Sequence, residues 1–369
     1  MDDIVYEYWA ASLQDGYLGK LIEIVERAGG AKALYNMSDE EMGGKLGLTS
    51  RMVKHILSCR EGVDIEKNYE KMRNDNISYV NYTSDFYPSR LKSIVGRPYG
   101  VFVKGSLPDD KKKSVAIIGS RECSEYGRLM AEYLGSRLSA LGINIISGMA
   151  WGIDGIAQAA ALNAGGHSYA VLGCGPDVIY PAKNRSLYQK LIIGGNGVIS
   201  EYAPGTPAEA RRFPPRNRII SGLSDIVIVV EARAKSGTLI TVDMAIDQGK
   251  TIMVVPGRIM DPLSVGCLKL IKEGAIPITC IEDVLTELGL NDEKGGSVSV
   301  DKSDYDEIKI SKEEALVLKF ITIDPISVES LADKTKLLLE QVLVILTELE
   351  RKGLIRELSE FCFIRNLKL

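Results

Sequence analysis

Six short, β-branched, almost wholly apolar segments lie at helix-length intervals through the middle of this chain, and they constrain its fold most. They are Ser114–Ile118, Asn144–Ile146, Ser168–Leu172, Gly197–Ser200, Asp225–Val230 and Thr251–Val255. A strand apolar on both faces must be covered on both faces, which is the situation of a parallel sheet sandwiched between helices. The amphipathic stretches between the segments supply those helices. Residues 76–290 therefore read as an α/β domain with a Rossmann-like, doubly wound, mainly parallel sheet.

The flanks read differently. A length of 369 residues suggests two or three domains. Residues 1–75 carry apolar positions at three- and four-residue spacing over Glu7–Leu13 and Leu18–Ala28, and Ser38-Asp-Glu-Glu41 is a capping box. They predict a small helical domain of the sterile-alpha-motif or helix-hairpin-helix sort; a helical scaffold with no ligand of its own is the open alternative. Residues 291–307 are polar, mostly acidic and read as a linker. Residues 308–369 show three helical patterns (Lys312–Ile321, Ser327–Lys334, Leu337–Lys352), a Gly353 stop and two strand-like runs, Leu354–Arg356 and Phe361–Ile364. That order is a winged helix. Its third helix is apolar rather than basic, which favours protein contact over groove reading.

In an open parallel sheet, ligands sit beyond the carboxyl ends of the strands. Five loops leave those ends. Gly119-Ser-Arg121 offers a tight turn, the Ser120 hydroxyl and a guanidinium fork. Ser147-Gly-Met-Ala-Trp-Gly-Ile-Asp154 allows close backbone approach at Ser147 and Gly148, with Asp154 read as a structural cap. The loop from Gly173 brings Tyr180 and then Lys183, Asn184 and Arg185 at the next helix start. The loop from Glu201 carries Arg211, Arg212, Phe213, Arg216, Asn217 and Arg218. Glu231–Thr238 adds Arg233 and Lys235 and opens a helix with Ser236, Gly237 and Thr238. Any one arginine here reads as a solvated charge. Together they make a row of basic loops and helix N-termini suited to a chain of phosphates, with Tyr180 and Phe213 able to stack bases or simply to pack.

Composition limits the chemistry. The net charge of -4 gives no global attraction for a polyanion, so binding must come from a local patch. Six scattered cysteines with no C-x-x-C pair argue against a zinc ribbon and for a reducing, cytoplasmic setting. Only His55 and His167 could serve a catalytic triad, and no G-x-S-x-G accompanies them. No Walker A lysine motif and no cluster of metal ligands is present. The acidic N-terminus lacks the pattern of a signal peptide, and no apolar run is long enough for a membrane span. The reading is a cytoplasmic binder with no catalytic residues, no metal, no cofactor and no membrane.

Seven stretches, in order, resemble the DprA/Smf family of DNA-processing proteins: Gly119-Ser-Arg121, Ser147–Asp154, Tyr180-Pro-Ala-Lys-Asn184, Phe213-Pro-Pro-Arg-Asn-Arg-Ile-Ile-Ser-Gly222, Val230-Glu-Ala232, Ser236-Gly-Thr-Leu-Ile-Thr241 and Val255-Pro-Gly257. The resemblance covers the whole central domain and, less distinctively, both flanks. It implies binding of single-stranded DNA, loading of RecA recombinase onto it during natural transformation, and a homodimer formed through the central domain. It carries the family's phosphate loop onto Gly119, Ser120 and Arg121, and its basic stretch onto Arg216, Asn217 and Arg218. Three positions depart from the pattern. Ala182 stands where the family often has lysine, with Lys183 one place on; Leu268 stands where asparagine is usual; and the terminal hairpin lacks glycines, implying a short wing.

Two other readings remain. A nucleotide-processing or nucleotide-sensing protein of related fold would use a Pro-Gly-Gly-x-Gly-Thr loop, but Val255-Pro-Gly-Arg-Ile-Met260 lacks the second glycine and the threonine. A winged helix that reads duplex DNA would make the protein a regulator.

Overall fold

The computed structural model describes residues 3–16, 20–290, 310–322 and 325–365. The predicted linker lies outside them. Two compact units emerge, Met1–Gly289 and Leu290–Leu369.

The first unit opens with helices α1 (Asp3–Ser12), α2 (Leu21–Ala28), α3 (Ala31–Asn36), α4 (Asp39–Gly44), α5 (Ser50–Arg60) and α6 (Ile65–Asn74). Ser38 caps α4 with a reciprocal capping box, its oxygen accepting from the Glu41 amide at 3.2 Å. The helices bury Trp9, Leu13, Leu34, Met42 and Ile56 in a core that also takes in Tyr79, Tyr99 and Phe102. The boundary expected near residue 75 therefore separates two portions of one unit.

Strands β1 (Ile77–Asn81) and β2 (Gly100–Gly105) follow, joined across α7 (Ser89–Lys92). Then strand and helix alternate: β3 (Ser114–Ile118), α8 (Glu125–Ala140), β4 (Asn144–Ser147), α9 (Ile153–Asn163), β5 (Ser168–Leu172), α10 (Arg185–Leu191), β6 (Gly197–Ser200), α11 (Phe213–Gly222), β7 (Ile226–Val229), α12 (Gly237–Asp247), β8 (Thr251–Val254), α13 (Val265–Lys272), β9 (Ile276–Pro277) and α14 (Ile281–Glu287). The nine strands form one sheet in the order β1-β2-β6-β5-β4-β3-β7-β8-β9. From β6 to β9 every pairing is parallel, while β2 joins β6 and β1 joins β2 antiparallel.

Alternate strand residues enter opposite cores. Ala116, Ile118, Val227 and Val229 pack beneath α11, α12 and α13, and Val115, Ile117, Ile226 and Ile228 beneath α8, α9 and α14. Burying one such Val or Ile contributes about 1.5–3 kcal/mol, so two covered faces explain the near-continuous apolar runs. The chain winds outward from β3 through β4, β5 and β6, then returns to the other side of β3 for β7 and β8. The loops leaving β3 and β7 diverge there, and a crevice opens at that switch point.

The second unit comprises α15 (Lys312–Phe320), β10 (Ile326–Ser327), α16 (Val328–Thr335), α17 (Leu339–Arg351), β11 (Ile355–Ser359) and β12 (Cys362–Arg365), with β12 paired antiparallel to both β10 and β11. Leu331, Val342, Leu346, Leu349 and Ile364 are buried among the helices and hairpin. This is a winged helix. Only Glu360 and Phe361 separate the two hairpin strands, and Phe361 takes φ +58° where a glycine would sit more easily. The wing is short.

Candidate nucleic-acid interface

The crevice has a volume of about 660 Å³. One wall is the β3 exit, with Gly119, Ser120, Arg121 and Glu122; the other is the β7 exit and the start of α12, with Arg233, Lys235, Ser236, Gly237 and Thr238. Phe213, Arg216 and Asn217 of α11, Asp154 of α9 and Tyr180 close it. Four basic side chains thus meet two carboxylates, in a chain whose net charge is -4.

Arg121, Arg233 and Lys235 are exposed. Ser236 caps α12, its oxygen accepting from the Thr238 amide at 3.2 Å and its carbonyl from the Leu239 amide at 3.0 Å, and Ser236, Gly237 and Thr238 of that helix start line the crevice. A Cβ added at Gly237 would meet nothing within 4 Å, so there is open space in front of its Cα. Ser120 is buried and donates to the Glu122 carbonyl at 2.9 Å, shaping the turn.

Arg216 and Arg218 stand two residues apart on α11 and do different work. Arg216 is buried at the crevice floor, donating to the Gly148 carbonyl at 3.0 Å, to the Val171 carbonyl and to Asn217 Oδ1 at 3.1 Å. Burial lowers its guanidinium's proton affinity, and nearby Asp154 opposes that shift. Asp154, itself pushed up by burial, accepts the Gly148 amide at 3.1 Å; it braces the preceding loop and is not the cap of α9, whose N-cap is Gly152 with no side-chain cap bond. Gly148 has no room for a side chain, because a Cβ would lie 2.7 Å from the Arg216 guanidinium. Arg218 is not in the crevice at all. It donates to the Gly96 carbonyl at 2.7 Å, to the Pro215 carbonyl at 2.8 Å and through two nitrogens to the wholly buried Glu201. Glu201 also accepts from Gln14 beyond α1.

The expected row of basic residues is therefore divided. Gly119, Ser120, Arg121, Arg216, Asn217, Lys235, Ser236, Gly237 and Thr238 come together in the crevice, joined by Arg233. Arg211 is paired with Glu209 at 2.7 Å, and Arg212 is buried, donating to the Pro207 carbonyl at 2.6 Å. Ser147 is buried and donates to the Ile117 carbonyl at 2.6 Å, and Asn184 donates to the Met149 and Ala150 carbonyls at 2.9 and 3.2 Å, bracing the loop ahead of α9. Lys183 and Arg185 are exposed at the start of α10, with the Lys183 ammonium 5.0 Å from the Trp151 ring centre. Arg212, Arg218, Ser147 and Asn184 are engaged with partners inside the protein, outside the lining of the crevice. Their partners are backbone carbonyls and a distant carboxylate, which residue type and spacing do not reveal.

Sequence reasoning also missed Glu231. Its buried carboxylate accepts the Ser124 amide at 2.9 Å from the end of the adjacent strand β7, bracing the residue that caps α8. Gly127 makes room for it, since a Cβ there would collide with the carboxylate. Among the described residues, no helix is long and apolar enough to cross a membrane, and no three His, Cys, Asp or Glu gather as a metal site.

A doubly wound sheet whose switch-point crevice is basic and fringed by helix N-termini is the arrangement of a phosphate-binding α/β protein. Residues 78–289 match the family described as DNA recombination-mediator protein A, and residues 306–360 match the DprA winged helix domain. The chain belongs to the DNA recombination-mediator protein A family, DprA/Smf. It is 42% identical over 269 residues to the DNA processing protein DprA of Streptococcus pneumoniae, covering 66% of this chain and 95% of that one. It is 39% identical over 242 residues to protein Smf of Escherichia coli, covering 66% of this chain and 64% of that one. The solved structure of the S. pneumoniae protein superposes with a TM-score of 0.67 at 33% identity, over 77% of this chain and 97% of that one. A structure of DNA processing protein A from Helicobacter pylori, described for its single-stranded DNA binding mode, superposes with a TM-score of 0.51 at 29% identity, over 57% of this chain and 95% of that one.

Proposed function

We propose that this chain binds single-stranded DNA through the switch-point crevice and promotes the loading of RecA recombinase onto it in natural transformation. It acts in the cytoplasm, as a homodimer, by binding rather than by chemistry. The observation that carries this reading is the crevice itself: Arg121, Arg233 and Lys235 exposed around an open helix N-terminus, with Arg216 at the floor. Such a groove suits successive phosphates of a flexible strand. The binding mode for which the H. pylori relative is described supports the choice of ligand. The RecA partner, the homodimer and the setting come from the family resemblance. The two crevice carboxylates do not form a working pair, since Asp154 is buried and holds the Gly148 amide.

The test is a gel-shift comparison of single-strand and duplex DNA, with and without RecA, for the parent and Arg121→Ala. The parent should prefer the single strand and speed RecA filament growth on it. Arg121→Ala should weaken binding to every sequence and reduce the slope of log affinity against log salt by about 0.7, one phosphate contact on a single strand. Unchanged affinity and slope would remove Arg121 from the interface, and release of free base from a nucleotide would revive an enzymatic reading.

A further inference from the structure

Beside the crevice lies a narrow cavity of about 90 Å³, lined by Trp151, Tyr180, Pro181, Phe213, Arg121 and Arg216 among others. Its rings are not equivalent. Phe213 is stacked on Tyr180, with ring centres 5.3 Å apart and planes 30° apart, and carries the guanidinium carbons of Arg121 and Arg216 at 6.0 and 5.9 Å. It is engaged in holding the two arginines in place. Trp151 and Tyr180 keep 48% and 44% of their surface exposed.

The loop that presents Trp151 is stiff. Its Gly148 amide donates to Asp154 and its Met149 amide to Gln158, both buried residues, while Asn184 donates to the Met149 and Ala150 carbonyls. Met149 sits at φ +52°, and Gly152 at φ +85° lies against the Ser120 and Arg121 carbonyls, where no Cβ would fit. A left-handed methionine costs on the order of 1–3 kcal/mol and persists only where surroundings enforce it. Three side chains and a strained backbone thus hold out one large apolar ring that takes part in no core. Lys183 beside it adds a cation.

We propose that Trp151 is a base-stacking residue, and that it and Tyr180 form a slot for one unpaired base of the strand whose phosphates lie in the crevice. This rests on the single-strand reading above. A base within a duplex has both faces covered by its neighbours and cannot enter, so the slot confers selectivity for single strands that the phosphate contacts alone cannot supply.

The chain contains two tryptophans, and Trp9 is only 1% exposed in the N-terminal core, so a quench of intrinsic fluorescence by direct contact with a base reports on Trp151. The full chain is titrated with a thymidine oligomer and with a strand of equal length built from abasic residues. The thymidine oligomer should quench the parent's fluorescence and bind more tightly than the abasic strand, which should not quench. Trp151→Ala should lose roughly ten-fold in affinity for the thymidine oligomer, the worth of one base–aromatic stack, and nothing for the abasic strand. Trp151→Phe should keep most of the affinity while losing the quench, and unchanged melting temperatures exclude a folding defect. Equal binding of both strands by the parent, or equal weakening of both by Trp151→Ala, would sink the slot and leave the phosphate reading standing. Failure of the parent to bind either strand would sink both.

Discussion

At the scale of single residues, Arg216 and Arg218 show how far a motif can be trusted. Both belong to one basic stretch, yet one helical position decides whether a guanidinium floors the crevice or sits against a buried carboxylate. Removing Arg218 leaves the buried Glu201 side chain with Gln14 as its remaining side-chain partner. Arg218→Met should therefore destabilise the first unit by about 3–5 kcal/mol, read as a fall in melting temperature. The fraction that remains folded should bind DNA as the parent does. A large affinity loss with no stability loss would mean that Arg218 faces the ligand after all. The glycines tell a related story. Gly119, Gly148 and Gly237 look alike as flexible loop residues. In the fold, Gly119 makes room for Ile153 and Gly148 for Arg216, and only Gly237 has open space in front of it.

At the scale of elements, the sequence made the parallel part of the sheet legible because period and propensity agree there. Ser114–Ile118, Ser168–Leu172 and Gly197–Ser200 are strands with the expected ends, and the others differ by one or two residues. Strands β1 and β2 escaped notice because they are a short antiparallel addition lying against the N-terminal helices, which no alternating β-α rhythm announces. The candidate site was legible as a set of loops but not as a set of contacts, since neither a carbonyl partner nor the burial of Arg212 is written in the local pattern. In the winged helix, local chemistry again dominates. Ser311 and Glu314 cap α15 reciprocally, and Lys352 donates to the Glu314 carboxylate at 2.6 and 2.7 Å. The Lys352 hydrogen bond, with the Ser311 amide, holds that carboxyl below its ordinary value of 4.5. A depressed carboxyl stabilises the fold above its unfolded pKa, and the stabilisation fades as pH falls through the folded value. Glu314→Gln should flatten this acid limb of the second unit's stability, measured by circular dichroism from pH 6 downward in steps. A limb of unchanged steepness would remove Glu314 as its source.

At the scale of the whole molecule, the second unit carries no basic excess. Within the described residues of the second unit, nine acidic side chains stand against eight basic ones, and α17 carries Glu340, Glu348 and Glu350 with Arg351 alone. A helix that reads a major groove is ordinarily basic, because phosphate neutralisation supplies most of the affinity. A chain ending at Gly289 should keep the parent's single-strand affinity and salt slope. If it also keeps whatever duplex binding the parent has, the duplex-reading alternative for the winged helix fails; loss of single-strand binding would show that the second unit contributes to the site.

The carboxylate shared by Gln14 and Arg218 ties regions that are far apart in the chain. It joins the segment after α1 to the helix that bears Arg216. Ligand that secures α11 should then also suppress opening of α1, since the segment behind it cannot withdraw without breaking the buried Gln14–Glu201–Arg218 hydrogen bonds. Backbone amides of α1, none of whose residues line the crevice, should exchange hydrogen for deuterium more slowly when DNA is bound. The N-terminal helices are, in that sense, the keel of the crevice.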